Sequence, residues 1–248
     1  MAGAFETGKY RNVFAEYGYP EAEIQRRVEQ TFETIFYGNE EERFYHEVGA
    51  DMAYIEDTGN HDVRTEGMSY GMMACVQMNR REEFDRLWKW TRTYMYIEDG
   101  PCKNYFAWSC ATDGSKNAEG PAPDGEEYFA MALFFAADRW GNGTGIFHYA
   151  DEARAILREC IHKGEPGHPG EPMWDTSRHL IKFITNFHLS NQSSETLVFS
   201  RKIGILILVP YVFSLVFALM SRNKGNFLFR LPRPLYQAVL RKFVSLPS

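Results

Sequence analysis

The chain has 248 residues, of which 44% are hydrophobic, 15% aromatic and 24% charged, and its formal net charge is −6 at pH 7. This composition is typical of a globular protein and excludes disordered and collagen-like chains. An acidic body also argues against a nucleic-acid partner, because phosphate groups are bound through clustered Lys and Arg.

Charge is divided unevenly along the chain. Residues 1–195 carry all 33 acidic residues but 19 of the 27 basic ones, whereas residues 196–248 carry the other 8 basic residues and no acidic one. The two parts differ in chemistry, so we expect a domain boundary close to the change in composition.

Helices dominate the acidic part, where apolar residues recur at intervals of three and four, the spacing of one helix face. Pro20 and Gly38 mark the start and end of the first helix, and Gly141 ends the fourth. The five predicted helices lie over about 20–37, 65–79, 84–95, 124–140 and 149–162. On the fourth helix, the residues predicted to face inward are Tyr128, Met131, Ala132 and Phe135. The second and third helices are expected to form a hairpin, and the predicted fold class is all-α.

Two long loops, 101–123 and 164–172, are rich in Gly, Asn, Asp and Pro. Loops of this length in a compact domain usually carry function. We therefore expect the site to lie on these loops and on the helix ends beside them.

The start of the second helix contains the first candidate site. Thr65 is the predicted N-cap, and Glu66 follows in the first turn, where a carboxylate stabilises the helix dipole by roughly 0.3–1 kcal/mol. Stabilisation of the helix dipole would by itself explain a glutamate at position 66, without a catalytic role. Gly67 and Gly71, however, each weaken a helix interior by roughly 0.5–1 kcal/mol and leave room beside Glu66 and Tyr70. This pattern indicates that another group approaches closely.

The start of the fourth helix is the second candidate. Asp124 as N-cap, with Glu127 three residues later, would form a variant of the capping box. A carboxylate at a helix mouth after a long loop can also accept a hydrogen bond from a hydroxyl group. The two roles are compatible, so both stay open at this point.

Trp108 and Trp174 lie in or beside the loops and form the third candidate. Such rings are often half-buried packing residues. Beside two carboxylates they also suit a stacking floor for sugar rings, because a pyranose presents a flat C–H face to an aromatic ring. Carbohydrate is the ligand that accounts for all three candidates.

No metal or cofactor is expected. Cys160, His162 and His168 lack regular ligand spacing, and the glycine-rich run 141–145 follows a helix instead of the strand that a dinucleotide loop requires. The four cysteines, Cys75, Cys102, Cys110 and Cys160, show no close pair and are expected to be reduced thiols. The first thirty residues lack the apolar run of a secretory signal, so a cytoplasmic location is expected.

Three stretches of the chain together resemble glycoside hydrolase family 8, and in particular its reducing-end xylose-releasing exo-oligoxylanases. They read DTGNHDVRTEGMSYGM over 57–72, YFAWS over 105–109 and GPAPDGEEYF over 120–129. The first and third are specific because they combine glycine, carboxylate and aromatic positions over ten or more residues. The resemblance runs from about Tyr10 to Ile184 and then stops.

This resemblance implies an (α/α)6 barrel and an inverting hydrolysis of β-1,4-linked xylo-oligosaccharides that releases xylose from the reducing end. Glu66 matches the proton donor, Asp124 the aspartate that binds sugar at the point of cleavage, and Trp108 a substrate-contacting aromatic residue. Tyr70 and Trp174 are further candidates for substrate binding. Glu66 must be protonated to act, so burial or a neighbouring carboxylate has to outweigh the helix N-terminus, which favours the anion.

The chain also departs from the family. The family's general base is an aspartate in the second half of the barrel, but no aspartate follows Asp175 and the last carboxylate side chain is Glu195. After about residue 185 there is room for three or four helices of ~12 residues each, so twelve helices are not expected. We therefore expect residues 1–185 to be the N-terminal part of a family 8 catalytic domain, and the chain as written to be truncated, inactive and poorly soluble.

The remaining residues, 186–248, contain an uncharged run over 203–221 flanked by basic residues. This run is almost as long as the stretch of about 20 apolar residues that a membrane helix needs. A membrane partner is therefore expected only if the run 203–221 is a genuine membrane anchor. A frameshift, an intron read-through or a mispredicted gene is the favoured explanation, because the composition changes where the resemblance stops. The alternative functions are a non-catalytic carbohydrate-binding half-domain or another family 8 activity, namely endo-xylanase, endoglucanase or chitosanase.

Overall fold

The computed structural model describes residues 12–175, 177 and 180–181. Their α-helices are α1 (Val13–Glu16), α2 (Glu21–Tyr37), α3 (Thr65–Met78), α4 (Arg81–Trp90), α5 (Pro123–Trp140) and α6 (Tyr149–His162). A π-helical turn over Thr91–Met95 continues α4, and a 3-10 turn over Gly145–Phe147 precedes α6. The elements from Gln25 onward belong to one compact unit. The five predicted helices are confirmed, and the fold is predominantly helical over the described residues.

Three short antiparallel ladders are present that the all-α prediction did not include. They pair β1 (Tyr45–Val48) with β2 (Met52–Ile55), β3 (Val63–Arg64) with β4 (Ser109–Cys110), and β5 (Trp174–Asp175) with β6 (Leu180–Ile181). Strands of two to four residues are too short to show an alternating pattern in the sequence. The β3–β4 ladder matters for the site, because it sets Arg64 opposite Ser109 and so joins the loop around residue 108 to the start of α3.

Helices α3 and α5 run side by side in the same direction. The contacts between them, in chain order, are Thr65 with Gly125, Tyr70 with Tyr128, and Asn79 with Trp140. Because the order is the same on both helices, their N-terminal ends lie together. This arrangement brings the two predicted carboxylate sites to one end of the fold.

Helix α4 returns antiparallel to both of them. Phe84 near its start contacts Trp140 at the end of α5, and Trp88 one turn later contacts Phe129 near the start of α5. Helix α6 packs on α5 in turn. The described residues thus contain two successive helix pairs of the kind expected for an (α/α)6 barrel.

An aromatic core holds the long loop after α4 in place. Phe106 of this loop is 1% exposed and packs against Trp88 and Phe129, with ring centroids 5.8 and 5.3 Å away. The indole nitrogen of Trp88 donates a hydrogen bond to the carbonyl oxygen of Ile146 at 2.7 Å. Phe106 therefore anchors the loop two residues before Trp108.

Both predicted N-caps are wrong. The N-cap of α3 is Arg64 and that of α5 is Ala122, and neither makes a side-chain capping bond within the described residues. Pro123, with its fixed φ, starts α5 one residue early, so Asp124 is the second helical residue. The proposed capping box between Asp124 and Glu127 is therefore absent from this part of the chain.

The inner face of α5 also differs from the prediction. Its buried apolar residues are Phe129, Ala130, Ala132, Leu133 and Ala136. Tyr128, Met131 and Phe135 are half-buried instead. Nearly every residue from 128 to 137 is apolar, so the hydrophobic pattern of α5 does not single out one face.

Candidate active site

Glu66 and Asp124 both lie in the first turn of a helix, on α3 and α5 respectively. Since these helices are parallel and touch at Thr65 and Gly125, the two half-buried carboxylates share one end of the fold. They are close enough for the charge of Asp124 to act on Glu66. The structure thus brings together the two carboxylates that the sequence singled out.

The environment of Glu66 raises its pKa above the ordinary value of a glutamate. Burial raises the pKa of Glu66, and repulsion from Asp124 raises it further. A hydrogen bond from the backbone amide of Glu66, the positive charge of Arg64 and a 3.4 Å hydrogen bond from the hydroxyl of Thr65 act in the opposite direction but do not prevail. The direction of this shift agrees with the expectation that burial and a neighbouring carboxylate outweigh the helix N-terminus. Burial also raises the pKa of Asp124.

Tyr70 lies one turn after Glu66 on the same side of α3. Its ring packs edge-on against Tyr128, with centroids 5.3 Å apart. Burial raises the pKa of the Tyr70 phenol well above its usual range, and the charges of Asp124 and Glu66 add to this effect. Tyr70 is therefore a neutral hydroxyl group that can donate a hydrogen bond beside both carboxylates.

Trp108 is held against the start of α3 by its own backbone. Its carbonyl oxygen accepts a hydrogen bond from the amide of Thr65 at 3.0 Å, and its amide donates to the carbonyl of Gly120 at 3.0 Å. Its side chain is 38% exposed, which is high for so large an apolar residue. An exposed indole beside the start of α3 is available to stack on a ligand.

Trp174 lies in β5, which follows α6 in the chain and packs against it. The amide of the preceding residue, Met173, donates a 2.8 Å hydrogen bond to the carbonyl oxygen of Cys160 near the end of α6, and Cys160 is close enough to Glu126 and Glu127 at the start of α5 to feel their charges. The indole nitrogen of Trp174 is buried without a hydrogen-bond partner among the described residues. A role for Trp174 in substrate binding stays a prediction.

Two further carboxyl groups lie at the start of α5, and the sequence did not predict their environment. Glu126 is fully buried and accepts a 2.9 Å hydrogen bond from the amide of Phe106, and burial raises its pKa to about 8. Burial and the charge of Asp124 raise the pKa of Glu127 to about 7. One oxygen of each carboxyl is buried and has no partner within the described part of the chain. Two adjacent acids directly before the apolar run 128–137 of α5 are the sequence signal that could have pointed to them.

The described part of the chain has neither a cluster of metal-ligating side chains nor a membrane-spanning helix. That part of the chain contains no group of three His, Cys, Asp or Glu side chains arranged for a metal ion, and its four cysteines are buried free thiols. No helix in it is both long and apolar enough to cross a membrane. The run 203–221 lies outside the described residues.

Comparison with known proteins decides the family. The sequence profile described as "Glycosyl hydrolases family 8" matches residues 38–172, which is more than half of the chain and includes Glu66, Trp108 and Asp124. The chain belongs to glycoside hydrolase family 8. The matched region of this family 8 chain begins at the end of α2 and ends after α6.

Family 8 relatives that are named for one activity are similar to this chain over about half of their length. The "Reducing end xylose-releasing exo-oligoxylanase" of Halalkalibacterium halodurans is 57% identical over 192 residues, or 77% of this chain and 49% of the relative. Rex8A of Paenibacillus barcinonensis, with the same activity in its name, is 54% identical over 191 residues, which is 77% of this chain and 50% of Rex8A. A structure of Rex8A complexed with xylose matches with a TM-score of 0.71 and 49% identity, covering 89% of this chain and 59% of that one. The chain spans about half the length of the curated relatives it matches.

Proposed function

We propose that this chain is the N-terminal part of a glycoside hydrolase that cleaves β-1,4-linked xylo-oligosaccharides with inversion and releases xylose from the reducing end. The observation that carries this proposal is the pair Glu66 and Asp124 at the adjoining starts of α3 and α5, beside the exposed ring of Trp108. The similar relatives are named as reducing-end xylose-releasing exo-oligoxylanases, which supports the same substrate class.

The proposed chemistry begins with a protonated Glu66, which the raised pKa of this carboxyl group supports. A carboxyl group that keeps its proton can donate it to the glycosidic oxygen as the bond to the leaving sugar breaks. Asp124 can accept a hydrogen bond from a sugar hydroxyl, Tyr70 can donate one, and Trp108 can stack on a pyranose ring. These four side chains account for protonation of the leaving group and for sugar binding.

Inversion requires one more group. A base carboxylate roughly 6.5–9.5 Å from the acid removes a proton from the water that attacks the anomeric carbon. The family resemblance places this base on an aspartate in the second half of the barrel, and this chain has no aspartate after Asp175. That observation favours a second function for the 248-residue polypeptide, which is to bind sugar without turnover. General-base catalysis typically supplies ~10²–10⁴-fold, so we expect hydrolysis by this polypeptide to be lower by at least that factor.

A chimera tests the proposed activity. Residues 1–184 of this chain are joined to the remaining half of the Halalkalibacterium enzyme, and the products from xylotriose labelled at its reducing end are analysed. We expect labelled xylose, and we expect Glu66→Gln to remove nearly all of its release. The matched control is Glu98→Gln, an exposed carboxylate outside the site, which should have no effect.

Two results would contradict the proposed activity, and a third would contradict the binding-only function. Full activity in the Glu66→Gln chimera would exclude Glu66 as the acid. Products from internal cleavage would instead favour one of the other family 8 activities. Turnover by the unmodified 248-residue chain at the rate of the chimera would exclude the binding-only function.

A further inference from the structure

Arg64 occupies a position between the two parts of the site. It is the last residue of β3 and the N-cap of α3, and β4 places Ser109 directly opposite it. Its side chain makes no capping bond within the described residues, so it does not serve the helix end. The side chain reaches the loop that carries Trp108 instead.

Two carboxylates hold the guanidinium group of Arg64. Its Nε donates to Asp62 at 2.9 Å and lies 3.2 Å from Oδ2 of Asp57. Asp62 also accepts a 2.9 Å hydrogen bond from the hydroxyl of Ser109, and that hydroxyl accepts one from Asn117 at 3.2 Å. Isolated surface ion pairs are easily broken. The Arg64 ion pair is not isolated, because two carboxylates bind the guanidinium group and Ser109 holds one of them in place, so the direction of the arginine side chain is fixed.

The fixed guanidinium lies over the indole ring of Trp108, 5.3 Å from its centroid. A planar cation of this kind stacks on an aromatic ring in a way that a lysine ammonium does not. One face of the ring is therefore covered by Arg64, while the side chain as a whole stays 38% exposed. The exposed part is what a ligand can reach.

We propose that Arg64 is a positioning residue, which holds Trp108 in place with the help of Asp57 and Asp62, so that the free face of the indole is presented to a sugar ring. This inference rests on the proposed function, in which Trp108 stacks on the substrate. A ring that is held before binding does not lose rotamer freedom when the sugar arrives, so its fixation increases affinity. A substitution that removes the planar guanidinium group of Arg64 but keeps its positive charge should therefore weaken sugar binding.

The test uses the 248-residue polypeptide and two measurements. The first is the affinity for xylotriose by calorimetry. The second is the NMR signal of the Trp108 indole N–H, which is assigned by its disappearance in Trp108→Ala. The variants are Arg64→Lys, which keeps the charge beside Glu66 but loses the plane, and Asp62→Asn. We expect each to weaken xylotriose binding by about threefold to tenfold and to broaden or shift the Trp108 signal without ligand.

Arg92 provides a matched control. Its guanidinium lies over the ring of Tyr96, 3.8 Å from the centroid, and its Nε pairs with Glu152 at 3.1 Å. Arg92→Lys makes the same chemical change away from the site, so it should alter neither the affinity nor the Trp108 signal. An equal effect of Arg92→Lys and Arg64→Lys would overturn the proposal, because it would show general destabilisation.

The outcomes separate this inference from the proposed function. If the unaltered chain binds xylotriose and Trp108→Ala abolishes binding, but Arg64→Lys binds as the unaltered chain does, the role of Arg64 is wrong and the proposed function stands. If Trp108→Ala binds normally, Trp108 is not a platform and the inference fails with it. If the unaltered chain does not bind xylotriose, the binding-only function of the 248-residue polypeptide is contradicted, and the hydrolase activity is decided by the chimera. The positioning role is still tested in that case, because a Trp108 indole signal that is the same in Arg64→Lys as in the unaltered chain would exclude it.

Discussion

The side chain of Thr65 occupies the space that a methyl group on residue 125 would need. A Cβ atom at Gly125 would lie 2.5 Å from both Cβ and Oγ1 of Thr65. Such a distance is far below van der Waals contact, so the first turns of α3 and α5 can meet only because residue 125 is glycine. The approach of Glu66 to Asp124 depends on this contact.

Gly125→Ala should therefore push the two helix starts apart. We expect it to lower the free energy of unfolding by roughly 1–3 kcal/mol, the typical cost of overpacking, and to weaken sugar binding. Gly67→Ala is the matched control, because its Cβ would meet its nearest neighbour, Cγ2 of Ile55, at 3.4 Å. That substitution should change stability by less than about 1 kcal/mol. Urea denaturation measures both, and equal stability of the two variants would contradict the close contact.

Asp124→Asn should lower the pKa of Glu66. The negative charge of Asp124 disfavours a second anion nearby, and its removal takes away one of the two causes that raise the Glu66 pKa. A carboxyl ¹³C NMR titration, with the Glu66 signal assigned through Glu66→Gln, follows the change. Asp138→Asn, at the exposed far end of α5, should leave the titration unaltered. An unchanged Glu66 pKa in Asp124→Asn would show that the two carboxylates do not interact.

Glu126 should make the protein less stable as pH rises. Its pKa is about 8 in the folded protein against an ordinary value of 4.5, so the unfolded chain releases this proton first. The folded state then binds more protons, and its stability falls between about pH 4.5 and 8. Glu126→Gln keeps an acceptor for the amide of Phe106 and has no proton to lose. We expect it to exceed the unaltered chain in stability at pH 8 by more than roughly 1 kcal/mol.

Urea denaturation at pH 5, 6.5 and 8 checks this prediction. The difference between Glu126→Gln and the unaltered chain should grow with pH. A constant difference across the three values would mean that Glu126 already carries its charge in the folded protein.

The helices of this fold could be predicted because their ends carry strong local signals. Gly38 follows α2, and Gly141 follows α5, as the sequence indicated. The predicted N-cap at Thr65 failed because the β3–β4 ladder keeps Arg64 extended up to the first residue of α3, and that ladder pairs residues more than forty positions apart.

The candidate site, like the fold, has residues that local sequence signals predict and contacts that they do not. Glu66, Asp124 and Trp108 could be singled out because their residue types stand beside glycines, helix starts and a long loop. The burial of Glu126 could not, since its hydrogen-bond partner is the amide of Phe106, twenty residues away in the chain. The contact between the guanidinium group of Arg64 and the ring of Trp108 could not be predicted either, because it depends on a loop that returns to the start of α3.

Chemical-shift mapping of xylotriose binding tests the central claim most directly. The 248-residue chain is titrated with xylotriose while the Trp108 indole and Glu66 carboxyl signals are followed, together with the indole of Trp140 at the far end of α5. We predict that Trp108 and Glu66 respond with a single shared dissociation constant and that Trp140 does not respond. Binding that shifts Trp140 and leaves both Trp108 and Glu66 unchanged would contradict a sugar site at the adjoining starts of α3 and α5.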